Sequence, residues 1–349
     1  MIKYIWYHTV KLFLKIALHF YSKSIKISGK ENIPRKGAVL FAVNHPNALL
    51  DPLYITTFNP RINHFLVRAD VFKKPLVRKF LATLNLMPIY RIRDGRNKLS
   101  NNDEVFEKCY TILRKKQTLI IFPQGGHSRD RAIKPLSKGF TRIVFGTLEK
   151  YPELDVQVVP VGLTYQNSTQ YPCKIAVNYG IPINSKQILT SNPKPKAIQV
   201  LKDEVSEQLK KLSVHIPENE HYNTVLQKLN QSNIDYTKVN EINENIKSNN
   251  FPKAKKTKKN YLKPLLYLIK LNSLLPYLFW KRNHKKIKDK EFVDTFRFGL
   301  NTFTFPIFYL LQGYLLSYFL EYSITVYYLI FSLTMVFLYT KLAPTPTED

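Results

Sequence analysis

His45 and Asp51 are the residues of this chain best equipped, by type and spacing, to move a proton. They stand in Asn44-His45-Pro46-Asn47-Ala48-Leu49-Leu50-Asp51-Pro52, directly after Ala38-Val39-Leu40-Phe41-Ala42-Val43. That apolar run has the length and density of a buried strand, so the polar residues begin where the strand should stop. Open α/β sheets carry their active sites at that edge. An imidazole with a nearby carboxylate can take a proton from a hydroxyl, because the carboxylate fixes the tautomer and stabilises the imidazolium that forms. A surface turn that happens to hold both residues is the competing reading, since the pair has no third member in the stretch.

Two further loops carry anion chemistry. The short apolar step Leu86-Met87-Pro88-Ile89-Tyr90 runs into Arg91-Ile92-Arg93, and guanidinium forks match phosphate oxygens. Arginines on a solvated turn explain the same residues. The run Thr118 to Phe122 breaks into Pro123-Gln124-Gly125-Gly126-His127-Ser128-Arg129-Asp130-Arg131. Glycines there let a ligand approach backbone N–H groups that can cradle an anion or oxyanion, although a Gly-Gly pair alone marks only a turn.

The elements that must position these loops alternate. Strands are expected at 38–43, 61–68, 86–90, 118–122 and 156–163, and helices after Asp51, over 71–85, over 98–116 and from about Gly139 to Leu148. Such alternation through the first 180 or so residues predicts an α/β fold, a mostly parallel sheet flanked by helices, with polar loops at the strand ends.

Taken in order, those loops resemble the glycerolipid acyltransferase family of glycerol-3-phosphate and 1-acylglycerol-3-phosphate acyltransferases. Its first motif resembles Asn44-His45 with Asp51, its second Ile89-Tyr90-Arg91, its third Phe122-Pro123-Gln124-Gly125 and its fourth Val159-Pro160-Val161. The likeness covers about residues 25 to 215 and includes Gly29 to Gly37 and Pro135 to Arg142. Three positions depart from the family pattern. Five residues separate His45 from Asp51 where four are usual, Leu86 replaces a usual glycine, and Gln124 replaces a usual glutamate. An amide can still hydrogen-bond a hydroxyl but carries no charge.

The resemblance implies direct attack of a hydroxyl on an acyl thioester of coenzyme A or acyl carrier protein, with neither a covalent enzyme intermediate nor a metal or other cofactor. His45 would be the general base and Asp51 its orienter. Asn44, Arg91, Gln124, Gly125, Arg129 and Arg131 would bind substrate, the arginines holding the phosphate of a phosphorylated glycerol acceptor. Backbone N–H near Gly125 is the expected oxyanion donor. The expected activity is that of a membrane-bound O-acyltransferase in phospholipid synthesis. A catalytically impaired relative that binds lipid or a partner is the alternative, supported by Gln124 and the longer spacing.

Composition bears on partners. Of 349 residues, 53 are Lys or Arg and 25 Asp or Glu, a formal charge of +28 that calls for a polyanionic partner. Anionic membrane lipid fits; nucleic acid would explain the charge, but no RNA or DNA module is recognisable. Cys109 and Cys173 have no metal or redox spacing and read as buried thiols in a reducing compartment.

The remaining segments are read as follows. Residues 1–24 form an interfacial helix, with Lys11 and Lys15 disfavouring a span. The acyltransferase domain occupies 25–233, a polar Asn- and Lys-rich linker 234–260, and an interfacial and basic juxtamembrane segment 261–295. Residues 296–340 are apolar enough for a transmembrane hairpin, about 298–319 and 322–340. The basic block Lys281 to Lys290 and Lys341 place both ends, and hence the catalytic domain, on the cytoplasmic side of an integral membrane protein. As a separable anchor, the C-terminus from residue 292 could be removed without touching His45, Arg91 or the Gln124 loop.

Overall fold

A computed structural model describes residues 1–90, 101–253 and 259–346. The chain begins with α1 (Ile2–Tyr21) and β1 (Ser22–Ser28), then runs through β2 (Ala38–Val43), α2 (Leu50–Phe58), β3 (Asn63–Arg68), α3 (Pro75–Thr83) and β4 (Leu86–Ile89). It continues with α4 (Asn101–Arg114), β5 (Thr118–Ile121), α5 (Gly139–Lys150), β6 (Val156–Tyr165), β7 (Cys173–Tyr179) and β8 (Ile183–Asn184). Two helices, α6 (Ser185–Ser191) and α7 (Lys194–Leu212), close the α/β part.

The eight strands form one sheet in the order β1-β7-β6-β2-β5-β3-β4, with β8 on β6. Pairings are parallel except for β6 with β7 and β6 with β8, so the sheet is mixed and mostly parallel. Its middle strand explains the layers. Successive β2 side chains point to opposite faces. Ala38, Leu40 and Ala42 pack under α4, α5 and α7 with Cys109, Phe140 and Leu201. Val39, Phe41 and Val43 pack under α1 and α2 with Leu18, Leu50 and Ile55. Covered on both faces, β2 must be apolar throughout, which is why it reads as a continuous run. Both cysteines are buried and unpaired by disulfides.

Three segments correct or add detail to the sequence reading. The 234–260 linker contains α9 (Val239–Lys247), preceded by α8 (Tyr222–Gln231). Val239 and Ile242 of α9, with Tyr236 just before it, are buried against Val214, Ile216 and Leu229. The surrounding Asn and Lys residues hide that face from any compositional reading. Second, α1 leaves Trp6, Leu12, Phe13, Ile16 and Phe20 exposed, but Lys11 points the other way. Its Nζ donates to Asn59 O at 2.6 Å and Arg61 O at 3.1 Å, where a cation suits the C-terminal end of α2. Burial, and then the neighbouring Lys15, lower the Lys11 pKa to about 8.

Third, the segment expected as a first span is not one uniform α-helix. After α10 (Lys263–Asn272) and α11 (Leu274–Asn283) come α12 (Val293–Gly299), a π-helical turn over Leu300–Thr304, and α13 (Phe305–Leu316). Ser317 to Glu321 then turn the chain into α14 (Tyr322–Leu342), which packs on α13. Among the described residues α14 alone is long and apolar enough to cross a membrane, with mean hydropathy 1.6. Its far end returns to the α/β part, where Lys341 Nζ donates to His19 O and Ser22 O, both at 2.7 Å.

Candidate active site

Parallel pairing of β2 with β5 puts the loops that follow them side by side at the carboxyl edge of the sheet. His45 leaves β2 there, and α2 begins close enough to return Asp51 to it. The His45 ring nitrogen Nδ1 lies 2.7 Å from Asp51 Oδ2. The Asn47 backbone N–H donates to that same oxygen at 2.7 Å, and Tyr165 Oη donates to Oδ1 at 2.7 Å. An ionised carboxylate can only accept, so the Nδ1 proton is placed toward Asp51 and the Nε2 lone pair faces away.

Asp51 is fully buried, and burial raises its pKa, while the bonds from His45, Tyr165 and Asn47 N–H oppose that shift. The three donors favour the charged form in a place where water cannot. His45 keeps partial access to solvent, its side chain 16% exposed. Phe122 stacks on its ring at 3.9 Å between centroids, so the strand end that carries the third motif also holds the imidazole plane.

The loop after β5 is tied to the first motif through backbone groups. Gln124 Oε1 accepts the His45 N–H at 3.3 Å, and Ser128 N–H donates to His45 O at 3.0 Å. An amide oxygen supplies that acceptor as a carboxylate would, so the missing charge does not remove the bond. Gly125 adopts φ +73°, which favours glycine, and its N–H closes the turn onto Phe122 O at 3.1 Å. Its own amide is thereby engaged within the turn.

Other expected substrate-binding residues divide. Asn44 is buried and clasps β6, donating to Leu163 O at 3.0 Å and accepting from Leu163 N–H at 2.7 Å. It therefore fixes the strand end instead of presenting its amide to a ligand. Arg131 is likewise buried, donating to Tyr165 O at 3.1 Å and Gln166 O at 3.0 Å and lying 3.4 Å over the Tyr236 ring. It braces the third-motif loop against the end of β6 and Tyr236, and it lines the same cleft as Arg129. Arg129 is only half-buried; its Nε donates to Ser168 Oγ at 3.4 Å, on a cleft lined by Asn44, Pro46, Asp130 and Ser168. Arg91 lies outside the described residues. Val159-Pro160-Val161 lies within β6, where the expected strand at 156–163 put it, and pairs with Phe41, Ala42 and Val43, so it supports the site from the side.

Sequence reasoning did not find Tyr165, which meets Asp51 from 114 residues away. It also missed a second buried carboxylate, Asp294 of α12. Arg297 Nη1 donates to its Oδ1 at 3.1 Å, Tyr21 Oη donates to that same oxygen, and Asn47 Nδ2 donates to its Oδ2 at 3.3 Å. Leu49 N–H donates to Thr295 Oγ1 at 3.2 Å, and Phe292 meets His127 edge-on at 5.2 Å. The C-terminal segment thus touches both the His45 loop and the Gln124 loop, which corrects the expectation that it is a separable anchor.

The site is thus a His–carboxylate pair at the carboxyl edge of a mostly parallel α/β sheet. Residues 24–164 match the family model described as Acyltransferase. Glycerol-3-phosphate O-acyltransferase 1 of Saccharomyces cerevisiae is 29% identical over 116 residues, 32% of this chain and 15% of its own length, so the likeness concerns one domain of it. The 1-acyl-sn-glycerol-3-phosphate acyltransferase of Borreliella burgdorferi is 23% identical over 210 residues, covering 58% of this chain and 78% of its own. The crystal structure of the 1-acyl-sn-glycerophosphate acyltransferase from Thermotoga maritima aligns with a TM-score of 0.40 at 20% identity, covering 58% of this chain and 78% of that one. Residues 24–164 thus form a domain matching the Acyltransferase family, similar in sequence to glycerol-3-phosphate and 1-acylglycerol-3-phosphate acyltransferases.

Proposed function

We propose that this chain is a membrane-bound O-acyltransferase that moves an acyl group from coenzyme A or acyl carrier protein to a hydroxyl of glycerol 3-phosphate or lysophosphatidate. The observation that carries the reading is the 2.7 Å contact between His45 Nδ1 and buried Asp51, which leaves Nε2 to accept the hydroxyl proton. The acceptor oxygen then bonds to the thioester carbonyl carbon. As the resulting oxyanion collapses, the C–S bond breaks, and the leaving thiolate takes the proton back from the imidazolium. Attack is direct, so no acyl-enzyme forms. Arg129, on the cleft beside Pro46, and Arg91 are proposed to hold the acceptor's phosphate.

The exposed apolar face of α1 and the α13–α14 hairpin support residence in an anionic bilayer, the +28 charge drawing the chain to lipid. The N-terminal end of α12 and the C-terminal end of α14 both meet the α/β part. That supports a hairpin with both ends on the catalytic, cytoplasmic side. The bond from His45 N–H to Gln124 and the complete set of donors on Asp51 favour an active enzyme over an impaired relative.

The test is an assay of purified membranes with labelled acyl-CoA or acyl carrier protein and a panel of glycerol 3-phosphate and lysophosphatidate. Acylated product above the His45→Ala background is expected. Wild-type membranes that match that background with every acceptor would end the proposal.

A further inference from the structure

The five residues between His45 and Asp51 form a loop that the α/β domain does not hold by itself. Asn47, the second of them, donates its backbone N–H to Asp51 and its side-chain amide to Ser168 O and to Asp294 Oδ2, both at 3.3 Å. Two residues on, Leu49 N–H is taken by Thr295. Asp294 is itself held from three directions, by Tyr21 of α1, by Arg297 one turn along α12, and by Asn47. Arg297 also donates to Thr169 O at 2.8 Å and lies 5.1 Å over the ring of Trp280 in α11. An ion pair so far from water is costly unless its hydrogen bonds are filled, and here they are filled by the catalytic loop and its neighbours.

We propose that Asp294 is a positioning residue for the His45–Asp51 pair, acting through Asn47, with Thr295 as a second tie and Arg297 holding Asp294 in place. The C-terminal helix is then part of the catalytic apparatus, and a shift of α12 against the sheet misaligns the imidazole. This inference rests on the general-base reading of His45.

Four variants test it: Asp294→Ala, Asp294→Asn, Asn47→Ala and Thr295→Val, each purified in detergent and checked for monodisperse elution. Misplacing a reacting group by about 1 Å can cost about 10²-fold in rate, so Asp294→Ala is expected to lower kcat by roughly 10- to 100-fold. Both KM values should change by about twofold or less, since the rate loss comes from alignment and not from binding. Asp294→Asn keeps an acceptor for Asn47 and should restore most of kcat, although it removes the charge opposite Arg297. A purely structural ion pair would suffer equally from Asn and Ala. Asn47→Ala combined with Asp294→Ala should be no slower than the worse single variant. Thr295→Val leaves the ion pair intact and keeps the test decisive should Asp294→Ala fail to fold; a smaller loss of kcat is expected.

A second readout needs no turnover: the rate at which diethyl pyrocarbonate modifies His45, followed by peptide mass spectrometry. It should rise severalfold in Asp294→Ala, Asn47→Ala and Thr295→Val and stay near wild type in Asp294→Asn. Wild-type kcat in the folded variants, equal losses in Asn and Ala, or unchanged His45 reactivity would overturn the proposal. Failure of the acyl-transfer reading is separate, appearing as wild type no more active than His45→Ala; the modification rates then decide the positioning role alone.

Discussion

Asp51 and Asp294 are two buried carboxylates on opposite sides of Asn47, and both are met by a tyrosine. Asp51 receives the backbone N–H of Asn47 and faces an imidazole that can gain or lose a proton. Asp294 receives the side chain of Asn47 and faces a guanidinium that cannot. Burial raises both pKa values, Asp294 to about 6. What separates them is the chemistry of the partner, since both partners keep 16% of their side chain exposed: His45 can exchange a proton, while Arg297 is held between Asp294, Thr169 and the Trp280 ring. A buried carboxylate alone therefore says little about chemistry until its partner's remaining face is known.

The largest effect should come from the first region. His45→Ala is expected to lower kcat by about 10²-fold or more, with elution and membrane association unchanged, because the ring is not part of a core. Activity within a few-fold of wild type would remove the distinction between the two sites. Asp51→Asn should retain more activity than His45→Ala, since the amide can still hold the ring but stabilises no imidazolium.

Two arginines sharpen the contrast between binding and bracing. Arg131→Ala should destabilise the fold by about 2–4 kcal/mol, since a buried guanidinium with two carbonyl bonds and a ring contact is lost, and denaturation in detergent reads it. Arg129→Ala should instead raise the acceptor KM more than the donor KM and leave stability near wild type. The reverse assignment would show that the buried arginine is the phosphate ligand.

A smaller effect follows from titration of Asp294. Its desolvation raises the folded pKa to about 6 against the ordinary 3.8, with Asp51 adding repulsion while Arg297, Tyr21 and Asn47 oppose. Between about pH 4 and 6 the folded form binds a proton that the unfolded form has released, so stability rises as pH falls through that window. Wild type should gain melting temperature relative to Asp294→Asn on moving from pH 7 to pH 5. A constant difference between the two would show that the carboxyl does not titrate there. The smallest change is expected for Gln124→Glu, where a carboxylate replaces one acceptor of His45 N–H by another and kcat should stay within a few-fold.

Much of the site was legible because its parts are local. A strand covered on both faces must be apolar at every position, so β2 and β5 announced themselves, and with them the edge where His45 and the Gln124 loop stand. The order of strands and helices likewise determined a mostly parallel sheet, and the helical period of residues 2–21 determined α1. Spacing could bring Asp51 within reach of His45, because α2 starts only a few residues later.

Tertiary structure alone decided which polar side chains face a ligand. Asn44 and Arg131 have the residue types of binding groups, yet folding turned both onto backbone carbonyls that would otherwise be buried without donors. Lys11 was turned in the same way from lipid to the end of α2. Tyr165 and Asp294 reach the first motif from distant segments, and no local pattern encodes a contact made 114 or 247 residues away. Composition concealed α9, since only Val239 and Ile242 are buried on it, among polar neighbours. Periodicity shows which face of an element is buried, but a hydrogen bond between remote polar groups depends on where the finished fold brings them together.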